Sequence, residues 1–317
     1  MTPLRLGYLY GFGAYLLWGF IPIYLKLLRP AGPMEILAHR IIWSVVFVAL
    51  LLAALRNVGF LRSLARRPRT LAGIVVAAAL IAVNWGTYIY GVNSARVVET
   101  ALGYFINPLV SVLLGVLVLR ERLRPAQWVA LGVGAAAVAV LTVDYGRLPY
   151  LALILAASFA GYGLAKKRLG LPAAEGLFVE SAVLALPALA YLGWLASRGG
   201  STFGEVSAGH TALLVAAGAV TAVPLLLFAG AANRLPLTAL GMLQYVAPVL
   251  QLGCGVLIFH EPMPPARLAG FTLVWLALVI FSLDALRTGR RTRAAARRRP
   301  LNHRTAARPA GISGRRS

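Results

Sequence analysis

The sequence is short of the residues on which most soluble-protein chemistry depends. One cysteine, Cys254, stands in 317 residues, which excludes an internal disulfide and a cysteine-based metal site. Acidic residues number 9 against 31 lysines and arginines, and charged residues of both signs reach only 13%, where a soluble domain carries roughly 25%. No G-x-x-x-x-G-K-[ST] phosphate loop occurs, so ATP hydrolysis by this chain is not expected. No G-x-S-x-G elbow occurs either. His260-Glu261 runs into Pro262-Met263-Pro264 instead of toward the second histidine of a helical zinc site. Neither enzymatic activity nor a metal or cofactor is expected.

What the sequence has in quantity is apolar surface. Apolar residues make up 60% of the chain and the mean hydropathy is +0.79. Ten apolar runs fall at roughly 6–28, 33–55, 71–92, 98–119, 126–143, 149–165, 174–196, 210–230, 238–259 and 266–286, most of them near the 20 residues that a membrane helix needs. Each is apolar on all sides, unlike a surface helix of a soluble protein. No convincing small-residue cleavage site follows the first run, so it is expected to remain as a span. The predicted fold class is an all-α integral membrane protein with ten transmembrane helices.

The chain also repeats itself. Glu99 to Glu121 reads ETALGYFINPLVSVLLGVLVLRE, and 140 residues on, Leu240 to Glu261 reads LGMLQYVAPVLQLGCGVLIFHE. At that offset Pro108 falls on Pro248, Gly115 on Gly255, Glu121 on Glu261, Asn93 on Asn233 and Glu35 on Glu175. A repeat of this kind is a strong statement about architecture. It divides the chain into five-helix units at 1–146 and 147–286, followed by an Arg-rich segment, 287–317. An odd number of helices per unit makes the second enter the membrane from the opposite side, so the expected arrangement is a 5+5 inverted repeat, as in many secondary transporters.

Lysine and arginine set the orientation. With the amino terminus inside, the cytoplasmic segments hold Arg5, then Arg56, Arg62, Arg66, Arg67 and Arg69, then Arg120, Arg122 and Arg124, then Lys166, Lys167 and Arg168, then Arg234 and the arginines of 287–317. The outer segments hold only Arg29, Arg96, Arg147, Arg198 and Arg267. Both termini are predicted cytoplasmic. Segment 287–317 lacks apolar periodicity and is expected to be structureless, attracting anionic lipid headgroups. It lacks a folded nucleic-acid-binding module beside it, and no nucleic-acid partner is expected.

Pro33-Met34-Glu35-Ile36-Leu37-Ala38-His39-Arg40 through Ser44 resembles the second helix of the RarD-type branch of the EamA family, in the drug/metabolite transporter superfamily. Asn84-Trp85, Gly91-Val92-Asn93, Glu99 to Pro108, Glu121-Arg122, Tyr162-Gly163-Leu164, Glu180, Val223 to Leu226, Gln244-Tyr245 and Glu261 continue the resemblance in order, from about residue 7 to residue 286. The segment Ser94–Val98 departs from it, since the family usually places His- or Asn-containing residues ahead of the acid. The resemblance implies a ten-helix basket with the fifth and tenth helices peripheral and a central cavity. It also implies transport of a small metabolite or drug across the inner membrane of a prokaryote.

Polar groups inside the apolar runs are the candidate site, because charges there are costly and tend to face the bundle interior. The substrate or coupling candidates are Trp18, His39, Arg40, Asn84, Trp85, Glu99, Tyr104, Asn107, Tyr162, Glu180, Gln244 and Tyr245. Arg40 and Glu180 occupy the same repeat position, and Glu99 is the expected partner of Arg40, with Glu35 as the alternative and Glu180 left free to take up a proton or cation. Plain ion pairing between helices, or snorkelling of Arg40, is the competing structural account. Pro108 and Pro248 interrupt backbone hydrogen bonds and are candidate hinges, static kinks being the alternative. The reading that follows is a secondary transporter, an exporter of a small organic solute. The alternatives are a passive channel and a non-transporting membrane assembly protein.

Overall fold

The computed structural model describes residues 2–55, 67–120, 122–169, 171–235, 239 and 243–298, and the described residues contain helices and no strands. In chain order the helices are α1 (Pro3–Leu27), α2 (Pro33–Ala54), α3 (Pro68–Asn93), α4 (Val97–Leu119), α5 (Pro125–Tyr145), α6 (Tyr150–Leu169), α7 (Ala173–Ser197), α8 (Ala208–Ala232), α9 (Val246–Gly253, continued by a π-helical turn, Cys254–Ile258) and α10 (Pro265–Arg298). Eight of them are long and apolar enough to cross a membrane, while the apolar stretches Tyr150–Lys166 and Val246–Ile258 are shorter. This is a multi-pass membrane protein.

Local chemistry sets the helix ends. Proline opens α1, α2, α3, α5 and α10, where its missing N–H would have had no intrahelical partner. Ser207 caps α8 by accepting the His210 N–H at 3.1 Å, and Gln127 closes the first turn of α5 by accepting the Arg124 N–H at 2.9 Å. Gly146 ends α5 at φ 62°, a conformation that glycine adopts without strain.

Two expectations are corrected. The ninth run was expected to be helical from 238. Ala239 and Leu243 are helical, 236–238 and 240–242 lie outside the described residues, and a turn at Gln244-Tyr245 comes before α9, which starts at Val246. Pro248 therefore stands in the first turn of α9, where a proline costs no hydrogen bond, and not in mid-helix like Pro108 in α4. The segment expected to be structureless from Arg287 continues α10 as far as Arg298. Arginine and alanine are strong helix formers, and no proline interrupts before Pro300.

The helices pack pairwise around two large apolar clusters and two small ones. One large cluster joins α1, α2, α3, α7 and α8 through residues such as Leu25, Ile36, Ile89 and Leu214. The other joins α4, α5, α6 and α10, with Phe105 edge-on to Phe271 at 6.1 Å. The main pairings are α5 with α10, α4 with α6, α2 with α7, α3 with α6, α1 with α8, α2 with α8, α1 with α9, α4 with α9 and α3 with α7. Exchanging α1 with α6, α2 with α7, α3 with α8, α4 with α9 and α5 with α10 maps every one of these pairings onto another in the set or onto itself. Small residues allow the closest approaches. Gly218 brings α8 onto the α2 backbone at Trp43, where a Cβ would collide with the carbonyl, and a Cβ on Gly103 would stand 2.9 Å from the Ala152 carbonyl oxygen of α6.

Candidate functional site

The loops α1–α2, α3–α4, α5–α6, α7–α8 and α9–α10 gather at one end of the bundle and are tied together there. Glu99, in the first turn of α4, is 2% exposed and accepts from Arg96 at 2.7 Å and Arg147 at 2.9 Å. It also accepts the Leu151 N–H at 3.2 Å. Burial opposes the Arg96 charge, but hydrogen bonds to Tyr150 and Glu99 outweigh it and raise its pKa above the ordinary arginine value. Glu261 reaches across from the α9–α10 loop and accepts the Val97 and Val98 N–H groups at 2.6 and 2.8 Å, a carboxylate cap on the positive end of α4. The π-helical turn after α9 and the left-handed backbone of His260, φ 53°, carry Glu261 to that position. Glu35 accepts from the Thr202 N–H at 2.7 Å. We refer to this as the clamped end.

Arg40 lies seven residues into α2 from the clamped end, a depth of ~10 Å at 1.5 Å per residue. It is 8% exposed. Its Nε donates to Thr221 Oγ1 of α8 at 2.7 Å, and its guanidinium lies 4.4 Å from the ring centre of Trp85 on α3. The phenols of Tyr104, Tyr88 and Tyr24 are its electrostatic neighbours, and Tyr24 is itself anchored by donating to the Leu213 carbonyl at 2.6 Å. Five helices thus converge on one guanidinium. The expected pairing with Glu99 is overturned: among the described residues no carboxylate pairs with Arg40. Glu99 is drawn to the helix end by two arginines whose positions depend on where α4 and α6 begin.

From Arg40 a polar and aromatic line crosses to the second half. Tyr88 meets Tyr104 edge-on at 5.6 Å, and Tyr104 donates to Asn84 Oδ1 at 3.2 Å. Asn84 Nδ2 donates to the Leu155 carbonyl and to Ser158 Oγ on α6, at 3.0 and 3.1 Å. Phe159 stands between Tyr104 and Tyr162, at 6.1 and 6.2 Å. The line ends at Glu180 of α7, 1% exposed, which accepts from Tyr162 at 2.9 Å and from Lys166 at 2.8 Å. Glu180 was expected to be free, and it is not. α6 runs on to Leu169, so Lys166 stands one turn beyond Tyr162 on the same helix face instead of in a loop.

The remaining candidates are dispersed. His39 and Trp43 line a cavity of about 650 Å³ with Ser201 and Phe203 at the clamped end. Both His39 ring nitrogens lack a hydrogen-bond partner, and the ring stacks on Phe203 at 4.7 Å. Trp18 packs edge-on to Tyr15 at 5.3 Å, and its carbonyl accepts from Gln251 at 3.1 Å. Tyr245 sits with Ser282 and Gln244 beside α10, away from Arg40. Asn107 has a buried Oδ1 without a partner, one residue before Pro108. Glu121, the repeat mate of Glu261, lies outside the described residues. Among the described residues no three His, Cys, Asp or Glu side chains gather as metal ligands. Sequence reasoning missed Thr221, Ser158 and Lys166. Only Lys166 carried a signal, since the 140-residue offset places it on Lys26.

Residues 5–143 match the EamA-like transporter family. The protein RarD of Streptomyces exfoliatus is 58% identical over 290 residues, covering 92% of each chain. The transporter YojE of Bacillus subtilis, itself uncharacterized, is 44% identical over 285 residues, covering 89% of this chain and 95% of its own. A solved crystal structure superposes with a TM-score of 0.56 at 21% identity, over 89% of this chain and 98% of its own, a likeness of fold alone. The helical bundle with a polar interior is thus that of a membrane transporter family. The chain belongs to the EamA family and, within it, to the RarD-type branch.

Proposed function

We propose that this protein is a secondary transporter that exports a small organic solute across the inner membrane of a prokaryote by alternating access. Both termini face the cytoplasm, the clamped end faces outward, and the two five-helix units are an inverted repeat. One observation carries the reading. The helix pairings keep their pattern when each helix is exchanged for the one five places on, and the two charges at the equivalent buried positions, Arg40 and Glu180, are joined by a polar and aromatic line. A static bundle has no need of two buried charges at matching depths from opposite faces, whereas a carrier opening to each side in turn uses one on each. The orientation is supported by the arginine distribution, and the basic residues beyond Arg287 attract anionic headgroups on the same face.

The test is flux through proteoliposomes containing the purified protein, over a panel of organic anions, amines, amino acids and antibiotics, with and without a proton gradient and without ATP. At least one solute should move uphill when the gradient is imposed and stop when it is collapsed. Movement that follows added ATP, or that no gradient affects, overturns the reading.

A further inference from the structure

Resting on the carrier reading, we infer that Arg40 is the receptor for an anionic headgroup, and that the solute is an organic monoanion, foremost a monocarboxylate with an apolar or aromatic body.

A guanidinium in a low-dielectric interior needs a counter-charge, and among the described residues no carboxylate pairs with Arg40. Glu99 and Glu180 are committed to arginines and a lysine, and Asp144 and Asp284 to Arg267 and Arg124. Glu35 is held by Thr202, and Glu261 by two backbone amides. What Arg40 does have is orientation. Thr221 fixes the Nε edge, and itself donates to the Ala217 carbonyl at 2.8 Å, while Trp85 covers one face of the guanidinium. Neither Nη donates to a described residue. The two Nη groups form the fork that a carboxylate engages bidentately.

The second observation is Tyr88. It is 3% exposed, its hydroxyl has no hydrogen-bond partner, and it is an electrostatic neighbour of Arg40. A buried hydroxyl without a partner is unfavourable, and a carboxylate on the Arg40 fork gives it an acceptor. Donors converging from α2 and α3 select an anion and repel a cation. The rings of Tyr24, Trp85 and Tyr104 suit an apolar body. A monoanion leaves the filled site neutral, as is required for it to cross the membrane interior.

The experiment measures thermal unfolding of the purified, detergent-solubilised protein against acetate, hexanoate, benzoate and indole-3-acetate. Matched amides, benzylammonium, methanesulfonate and methyl phosphate are run beside them. At least one carboxylate should raise Tm with saturation, and its amide and benzylammonium should not. A response to the sulfonate or phosphate ester in place of the carboxylates reassigns the headgroup and keeps the anion site. Arg40→Gln should abolish the response. Should that variant fail to fold, Tyr88→Phe, which removes only an unpartnered hydroxyl, should weaken half-saturation about tenfold. Equal responses to acid and amide, no response to any anion, or a full response in both variants overturns the inference. Proteoliposomes separate the two readings. Flux of neutral or cationic solutes that anions do not inhibit sinks the anion site and leaves the carrier standing. Anion binding at Arg40 without gradient-driven flux does the reverse.

Discussion

Arg40 and Glu180 hold the same position in two repeats of one chain, yet their surroundings are opposite. Glu180 is served from within its own half, by Lys166 at 2.8 Å and Tyr162 at 2.9 Å, both on the preceding helix. The residue equivalent to Lys166 in the first half is Lys26, again on the preceding helix. Beside an acid that lysine completes a pair, whereas beside Arg40 it is a like charge. Lys26 turns elsewhere, lying 5.2 Å from the Phe259 ring centre, and Arg40 is left with aromatic faces, a threonine and an open fork. Two positions 140 residues apart therefore hold one closed charge pair and one charge that no carboxylate among the described residues meets. The asymmetry lies in side chains, Arg40 against Glu180 and Pro22 against Tyr162, while the helix pairings keep their pattern.

The largest effect should come from breaking the closed pair. Glu180→Gln leaves Lys166 without its counter-ion and should lower stability by about 3 kcal/mol, the low end for a broken buried pair because the Lys166 side chain keeps 22% exposure. The double variant with Lys166→Met should recover most of that loss in thermal unfolding. If it does not, the two residues act independently and the contrast with Arg40 collapses.

Removing the open charge should act the other way on the two readouts. Arg40→Gln should cut flux by about 10- to 100-fold, the value of a charged hydrogen bond, in both gradient-driven uptake and equilibrium exchange. It should leave stability unchanged or raised, since it removes an uncompensated buried charge. Side-by-side uptake, exchange and unfolding measurements decide this, and a loss of stability comparable with that of Glu180→Gln would show Arg40 to be a structural residue after all.

A smaller effect is expected at the clamped end. Glu261→Gln weakens the cap on the Val97 and Val98 amides and should cost about 1 to 2 kcal/mol. It should also raise labelling from outside of a cysteine introduced at Ala95. Unchanged labelling would mean that the cap serves folding alone. The smallest is Tyr162→Phe, which removes one of the two hydrogen bonds on Glu180 and should cost about 1 kcal/mol with exchange intact. A larger loss of exchange would move Tyr162 onto the solute path.

Much of the protein was legible in advance, and the failures at the site concern which side chains meet. Arg40, Trp85, Tyr104, Asn84, Tyr162 and Glu180 were singled out as polar or aromatic groups in apolar runs, and they form one connected line. His39, Tyr245 and Gln244 met the same criterion and stand elsewhere, because a helix's composition does not say which face turns inward. The pairing of Arg40 with Glu99 failed because nearness in predicted depth ignores competition. Arg96 and Arg147 were written off as loop charges, yet they close on Glu99 once α4 and α6 take their starts.

Sequence alone settled what composition and period can settle: a helical membrane protein, ten helices placed to within a few residues save the ninth and the far end of the tenth, and a 140-residue self-similarity of the sequence itself. Those follow from the length of apolar runs, the distribution of arginine and proline, and self-similarity, none of which needs a third dimension. Tertiary structure alone decided who partners whom. An ion pair depends on distances of a few ångströms set by helix rotation and by where each helix starts, so Lys166 closing on Glu180, Glu261 capping α4 and Arg40 keeping an open fork appear only when the helices are packed.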